Sequence, residues 1–323
     1  MNLIRKQKLA NDIVVIDGFS MSGKTISAIL ISHLERSEIW QLDSRYEPYG
    51  VLDYLKKIDR ISAEALIQRM ADKDIYEVSI GRFVNVRKND VGGIYQNMLQ
   101  ERYLENIDKN EGNEVVENIN IKKSILPLHI HFMLGFSDLF LKGFEDRLKL
   151  YIVTMRSPIE HVKNWMTLDF NNRIGKQPRE FNITCDFNDQ VIPWFTSEYA
   201  EEYINANDLE KAVLIVSKYY AQIYKEIENL NEEYRKKLLI IPFENIVENP
   251  EKYIDMMCMK LDTKPSKTIN KILESNDLPR EKPLIDILEI NNLESKFNTT
   301  LKSDLKKDLV EVTKKYIQLL SEN

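Results

Sequence analysis

The chain is poor in the residues that would assign it to several functional classes. It has only two cysteines in 323 residues, Cys185 and Cys258. They lie too far apart for a metal-ligand or redox motif, so a disulfide scaffold and a zinc module are excluded, and both read as ordinary thiols of a reducing compartment. Positive charge is not in excess: 45 basic against 51 acidic residues give a net charge of −6. That excludes a protein that coats nucleic acid and leaves room for a local basic pocket that takes a small anion. No apolar run approaches the length of a membrane span, and the charged start Met1-Asn2-Leu3-Ile4-Arg5-Lys6 does not read as a signal peptide. A soluble, cytoplasmic protein without nucleic-acid or membrane partners is therefore expected. Internal repeats and low-complexity linkers are also missing. The expectation is one α/β domain over residues 1–323, with an insertion around 44–120 and a helical part at 250–323.

What is present is a folding composition, 43% hydrophobic and 30% charged, and one informative stretch. Ile13-Val14-Val15-Ile16 reads as a buried strand. Gly18-Phe19-Ser20-Met21-Ser22-Gly23-Lys24-Thr25 then fits G-x-x-x-x-G-K-[ST], and Ile26, Ile29, Leu30 and Leu34 continue at helical spacing. In such a loop, backbone N–H groups converge on phosphate and the following helix adds its dipole. The bland alternative is a tight strand-to-helix turn, but the strand–loop–helix setting favours anion binding. Gly18, Ser20, Ser22, Gly23, Lys24 and Thr25 are the candidate phosphate ligands.

The rest of the chain alternates helices and strands. Apolar runs predict strands at 38–42, 75–87, 123–131, 149–155 and 237–241. Periodicity predicts helices at 24–36, 51–59, 62–71, 94–107, 132–144, 158–168, 208–229, 250–261, 266–274 and 303–320. Ser62 and Asp208 are the expected N-caps, and 171–193 reads as an irregular excursion. Near-continuous apolar strands separated by helices imply a parallel sheet covered on both faces, with ligands at the carboxyl ends of its strands.

An NTP-hydrolysing enzyme normally places an acidic residue at the end of a second apolar strand to hold Mg²⁺. Here the later strands end in Met155-Arg156-Ser157-Pro158 and Pro242-Phe243-Glu244-Asn245, and a guanidinium at the first would grip a second phosphate. No Asn-Lys-x-Asp guanine-reading motif occurs. Leu150-Tyr151-Ile152-Val153-Thr154-Met155-Arg156-Ser157-Pro158 with the helix to Trp165, and Leu239-Ile240-Ile241-Pro242-Phe243-Glu244-Asn245-Ile246 with Asn249-Pro250, resemble the corresponding motifs of sulfotransferases that use 3′-phosphoadenosine 5′-phosphosulfate (PAPS). The order of the motifs agrees with that family over nearly the whole chain. The resemblance implies a P-loop sulfotransferase-like fold, PAPS as cofactor, and Arg156 and Asn164 as holders of its 3′-phosphate. Two departures keep an alternative open. Met21 stands where the family usually has a basic residue, and Lys24 occupies the kinase position, so an ATP-dependent small-molecule kinase using Mg²⁺ is the runner-up. A catalytically silent nucleotide-binding protein is the third reading.

Sulfuryl transfer, like phosphoryl transfer, relies on positioning and on stabilising charge at the leaving oxygen. Lys24 and the loop amides would supply that charge without a metal. The acceptor hydroxyl needs a base, and histidine is the natural one. Of the four histidines, His33 and His161 fall within helices, whereas His129 and His131 lie at a strand end, in the region where several members of the resembling family place their base. His131 is preferred to His129. Asp43, Arg45, Arg82 and Arg87 are candidate acceptor ligands, although for each of them a surface ion pair is the favoured reading. The acceptor is a small molecule or a glycan, and the oligomeric state is left open.

Overall fold

The computed structural model describes residues 3–322. They fall into two compact units that interleave along the chain. The first holds residues 3–19, Gly23–Met155 and Leu230–Lys282, and the second holds Ser20–Ser22, Arg156–Asn229 and residues 283–322.

The first unit is built on a four-stranded, wholly parallel sheet in the order β2-β1-β3-β6. Its strands are β1 (Asp12–Gly18), β2 (Ile125–His129), β3 (Leu148–Met155) and β6 (Leu238–Pro242). Because side chains alternate across a strand, covering both faces demands a continuous apolar run. Ile13, Val14, Val15 and Ile16 are all fully buried, as are Leu150, Tyr151, Ile152 and Val153. On one face Val14, Ile16, Leu150, Ile152, Leu239 and Ile241 pack with Ala28, Leu30 and Ile31 of α1 (Lys24–Ser32) and with Ile254 and Met257 of the helix Pro250–Leu261. The fold is α/β, as expected, and its four main strands coincide with predicted ones. β1 lies where the strand order reverses, so the loop after it emerges at the switch point of the sheet.

Several expectations fail for local reasons. The predicted strand at 75–87 is instead the end of α3 (Arg60–Ser79) followed by turns. Ile67, Ala71, Ile75 and Val78 are buried at helical spacing, so the β-branched residues continue one helical stripe. Gly81 ends it at φ +75°, where a Cβ would lie 2.5 Å from Ile107 Cγ2. The N-cap is Asp59, whose carboxylate accepts from Ser62 N at 2.9 Å, rather than Ser62. The helix expected at 51–59 is α2 (Glu47–Tyr54), which opens with Pro48 in its first turn. The helix expected at 94–107 shrinks to α4 (Gln100–Ile107), because Met98 adopts φ 51°. An unforeseen α5 spans Asn113–Lys122.

The strand expected at 38–42 is absent: the segment makes one isolated parallel bridge, Gln41 to Leu128, and a second lies just before it, Ser37 to Ile125. Trp40 N donates to Ser32 Oγ at 3.1 Å, which takes it out of a ladder. At 132–144 only Leu139–Lys142 is helical. Phe132 and Gly135 have positive φ, and the N–H groups of Met133 and Leu134 are drawn to the Asp17 carboxylate at 3.2 and 2.6 Å.

The second unit packs the helices Pro158–Thr167, Asp208–Asn229 and Ser303–Glu322 against one another. The long middle helix is capped by Asn207, not Asp208: Asn207 Oδ1 accepts from Glu210 N, and Asn207 N donates to Glu210 Oε2, each at 3.0 Å. The excursion at 171–193 contains a hairpin of β4 (Thr184–Phe187) and β5 (Gln190–Pro193). Asn188 and Asp189, at φ 52° and 62°, make the turn that suits two tightly joined strands. Among the described residues no helix is long and apolar enough to cross a membrane.

Candidate active site

The loop after β1 needs residues that tolerate a left-handed backbone and close approach. Gly23 has φ +94°, and a Cβ on it would stand 2.7 Å from Phe243 Cδ2. It is the N-cap of α1 and no side chain caps it, which leaves the helix start available to an anion. Lys24, the first residue of that helix, is only 4% exposed. Its Nζ donates to the carbonyls of Gly18 at 3.0 Å and Phe19 at 2.6 Å, so the ammonium is held inside its own loop. Burial lowers Lys24 to about 8, against the opposing pull of Asp17 and Glu47.

Asp17, the residue before the loop, is fully buried. It accepts from Gly18 N (2.7 Å), Met133 N, Leu134 N and Tyr151 Oη (2.9 Å). Burial raises its pKa, and these four hydrogen bonds pull it back. All of its acceptor capacity is directed at protein donors that tie the segment after β2 to the loop.

That segment begins with the two histidines. His131 Nδ1 lies 2.7 Å from Glu47 Oε1. Burial pushes Glu47 up to about 8, while Lys24 and the His131 backbone N–H hold it down. Burial and the charge of Lys24 keep His131 well below the usual imidazole range. When Glu47 is ionised it accepts from His131 Nδ1–H and leaves Nε2 as a free base. When Glu47 is protonated the hydrogen bond reverses, and Nε2 carries the proton instead.

His129 differs. It is 4% exposed and neither ring nitrogen has a hydrogen-bond partner. Its ring stands edge-on to His131 at 4.9 Å and near Trp40 at 5.5 Å. Burial, then His131, then Lys24 push it well below the usual imidazole range.

The remaining candidates are distributed as follows. Arg156, directly after β3 in sequence, is fixed by its backbone: its N–H donates to Tyr220 Oη at 3.1 Å, and Tyr220 donates back to the Arg156 carbonyl. Its Nη1 reaches Met21 O at 3.4 Å. Asn164, half-buried on the helix Pro158–Thr167, has an Nδ2 with no hydrogen-bond partner. Ser22 is buried, while Ser20 and Thr25 are half-buried. Asp43 and Arg45 pair with each other, and Arg45 also reaches Asp74 at 3.2 Å. Arg82 sits at the surface with Glu77 and Glu111, and Arg87, 81% exposed, with Asp90. Lys24, His129, His131 and, at the near edge, Asp43 and Arg45 are thus gathered at one end of the sheet, and Arg82 and Arg87 are engaged in ion pairs of their own.

Sequence reasoning missed Glu47 and Asp17. Glu47 precedes Pro48 just beyond a sheet edge, a weak signal for a carboxylate at a helix start. Asp17 is a lone acid closing an apolar strand, which marks it as paired or functional.

Solved sulfotransferases resemble the chain. The sulfotransferase domain from the Synechococcus PCC 7002 olefin synthase aligns over 98% of both chains with 13% identity and a TM-score of 0.46. A sulfotransferase domain from the curacin biosynthetic pathway aligns over 96% of this chain and 98% of its own, with 13% identity and a TM-score of 0.43. A sulfotransferase from Mycobacterium avium aligns over 97% of this chain and 77% of its own, with 10% identity and a TM-score of 0.47. No family model and no curated protein matches the chain. Likeness at this level assigns no residue a role, and the roles below rest on the chain's own geometry.

Proposed function

We propose that this chain is a sulfotransferase that moves a sulfuryl group from PAPS to a hydroxyl of a small-molecule or glycan acceptor. The observation that carries the reading is the grouping of Lys24, Glu47 and His131: a buried cation in the phosphate-type loop beside an imidazole held by a carboxylate at 2.7 Å, with the charge of Lys24 felt by both. The donor brings an activated sulfuryl group on a 5′-phosphate. The loop suits that phosphate, with an uncapped helix start, a glycine that leaves no room for a Cβ, and an ammonium already directed at loop oxygens. Lys24 neutralises charge that develops on the leaving oxygen. The sequence resemblance gives the 3′-phosphate to Arg156 and Asn164; within their own unit the first has its backbone clamped by Tyr220, and the second has an amide Nδ2 without a hydrogen-bond partner. His131 Nε2 takes the proton of the acceptor hydroxyl while Glu47 orients the ring and stabilises the imidazolium.

The position of Lys24 favours the second reading, an ATP-dependent kinase. Against it, β3 is followed by Arg156 rather than an acid, and Asp17 is saturated by protein donors. Isothermal calorimetry with adenosine 3′,5′-bisphosphate, ATP and GTP, each with and without Mg²⁺, separates the readings. Expected is metal-independent binding of the bisphosphate that Arg156→Ala abolishes. Tight Mg²⁺–ATP binding with no response to the bisphosphate installs the kinase reading. Bisphosphate binding with no transfer to any acceptor, unaffected by His131→Ala, makes the protein a silent binder.

A further inference from the structure

Two side chains that line one small cavity in the first unit, Gln41 and His129, carry buried polar atoms without hydrogen-bond partners. Its walls include Ile39, Val78, Leu126 and Leu128, and its polar lining includes Gln41 and His129. Gln41 Oε1 accepts from Asn85 N at 3.2 Å. That contact fixes the amide flip and leaves Nε2 as a buried donor with no partner. Both ring nitrogens of His129 are likewise unpartnered. A neutral imidazole offers one donor and one acceptor. Buried polar groups left in this state are costly, so the site calls for an occupant.

The character of that occupant follows from what is already satisfied. The charged groups at the same cavity are paired among themselves: Arg45 with Asp43 and Asp74, and Tyr46 Oη with Asp74 at 2.7 Å. Only neutral groups remain, and they present donors together with one acceptor. The free space is about 20 Å³, which admits a single oxygen-sized group. A hydroxyl matches on charge, size and hydrogen-bond polarity. His129 also stands 4.9 Å, ring to ring, from His131. Adjacent or 1,3-related hydroxyls of one molecule span such a gap, one at each ring.

We propose that Gln41 and His129 form an acceptor subsite that reads a second, unreacting hydroxyl, so that the acceptor is a 1,2- or 1,3-diol. The assignment rests on the sulfotransferase reading for which hydroxyl reacts, and it divides the histidine pair: His131 serves the reacting oxygen and His129 recognises its neighbour. A site built to bond a hydroxyl discriminates strongly against the analogue that lacks it, because its own polar groups then stay buried and unpaired.

The test uses the full chain with ¹⁵N-labelled histidine and two matched probe pairs, catechol against phenol and cis-cyclohexane-1,2-diol against cyclohexanol. Titrations are run with and without saturating adenosine 3′,5′-bisphosphate. Expected are shifts of the His129 ring nitrogens by the diols, and a diol preference of about 100-fold in affinity. Gln41→Leu and His129→Phe should each bring that ratio close to one while bisphosphate binding persists. Gln41→Leu keeps the test decisive if His129→Phe does not fold. Equal affinity for diol and mono-alcohol, or a preference that survives both substitutions, overturns the proposal and leaves a trapped water as the occupant. Failure of the bisphosphate to bind counts against the donor assignment alone, because the imidazole shifts are scored without it.

Discussion

Lys24→Met should make the ligand-free protein more stable, even though it removes the residue to which the proposed function assigns donor binding. The ammonium is buried with about 4% exposure, and burial lowers it from 10.5 to about 8. That difference corresponds to about 3 kcal/mol by which holding the charge in the loop disfavours the folded state at neutral pH. Methionine keeps the unbranched apolar stem and removes the charge. It also removes the two hydrogen bonds to the Gly18 and Phe19 carbonyls, at about 1 kcal/mol each. The net expectation is a gain of about 1 kcal/mol at pH 7, read as a higher urea midpoint at unchanged slope. The sign of the pH dependence is fixed. Between about 8 and 10.5 the unfolded chain binds more protons at this position than the native one, so wild-type stability rises with pH across that window and the variant's advantage fades. With adenosine 3′,5′-bisphosphate at 100 times its Kd the wild type gains about 2.7 kcal/mol and the variant gains nothing, which reverses their order. A variant less stable than wild type at pH 7 without ligand, or an advantage undiminished at about pH 10.5, refutes the reasoning.

Transfer activity, measured as kcat/KM, should follow a narrow bell near pH 8. Loss of the Glu47 proton at about 8 frees His131 Nε2, and loss of the Lys24 proton at about 8 removes the stabilising charge. Glu47→Gln should abolish the rising limb and lower the rate by about 10²- to 10⁴-fold, whereas a unchanged profile would remove Glu47 from the mechanism. Asp17→Ala should cost about 3–5 kcal/mol in urea unfolding, since it removes the acceptor of three backbone N–H groups in a dry interior; a loss below about 1 kcal/mol would mean that water replaces it. Gly23→Ala should cost about 1–3 kcal/mol from its positive φ and the 2.7 Å approach of Phe243, and adding Phe243→Ala should recover the steric share in a double-mutant cycle.

The candidate site was legible only in part. Gly18 to Thr25 and the strand before them carry a local signal, because a loop of this kind needs its glycines and lysine at fixed spacing whatever else the chain does. Arg156 could be placed at a strand end because an apolar run stops there at Ser157-Pro158. The histidine pair was located, but its division of labour was not: His131 and His129 share one strand end, and only the carboxylate 84 residues earlier in the chain distinguishes them. By sequence Arg82 and Arg87 read as ligands because their segment reads as strands. In the structure it is helix end and turns, and both guanidiniums meet acids of their own neighbourhood.

The sequence by itself determined the parallel sheet and the loop at the end of its first strand, since continuous β-branched runs flanked by helical periodicity have few other ways to bury both faces; the strand order that puts this loop at the switch point came from the structure. It also determined the helices whose stripes are long, such as Asp208–Asn229 and Ser303–Glu322. Tertiary structure decided what local pattern leaves ambiguous. Ile75 and Val78 became helix because Ile67 and Ala71 were already buried on that stripe, and the chain after Phe132 stayed irregular because the Asp17 carboxylate took its N–H groups. It also decided the chemistry of the site. The titration of Lys24, Glu47 and His131 depends on burial and on one another's charge, and neither exists until distant segments are brought together in a medium of low dielectric.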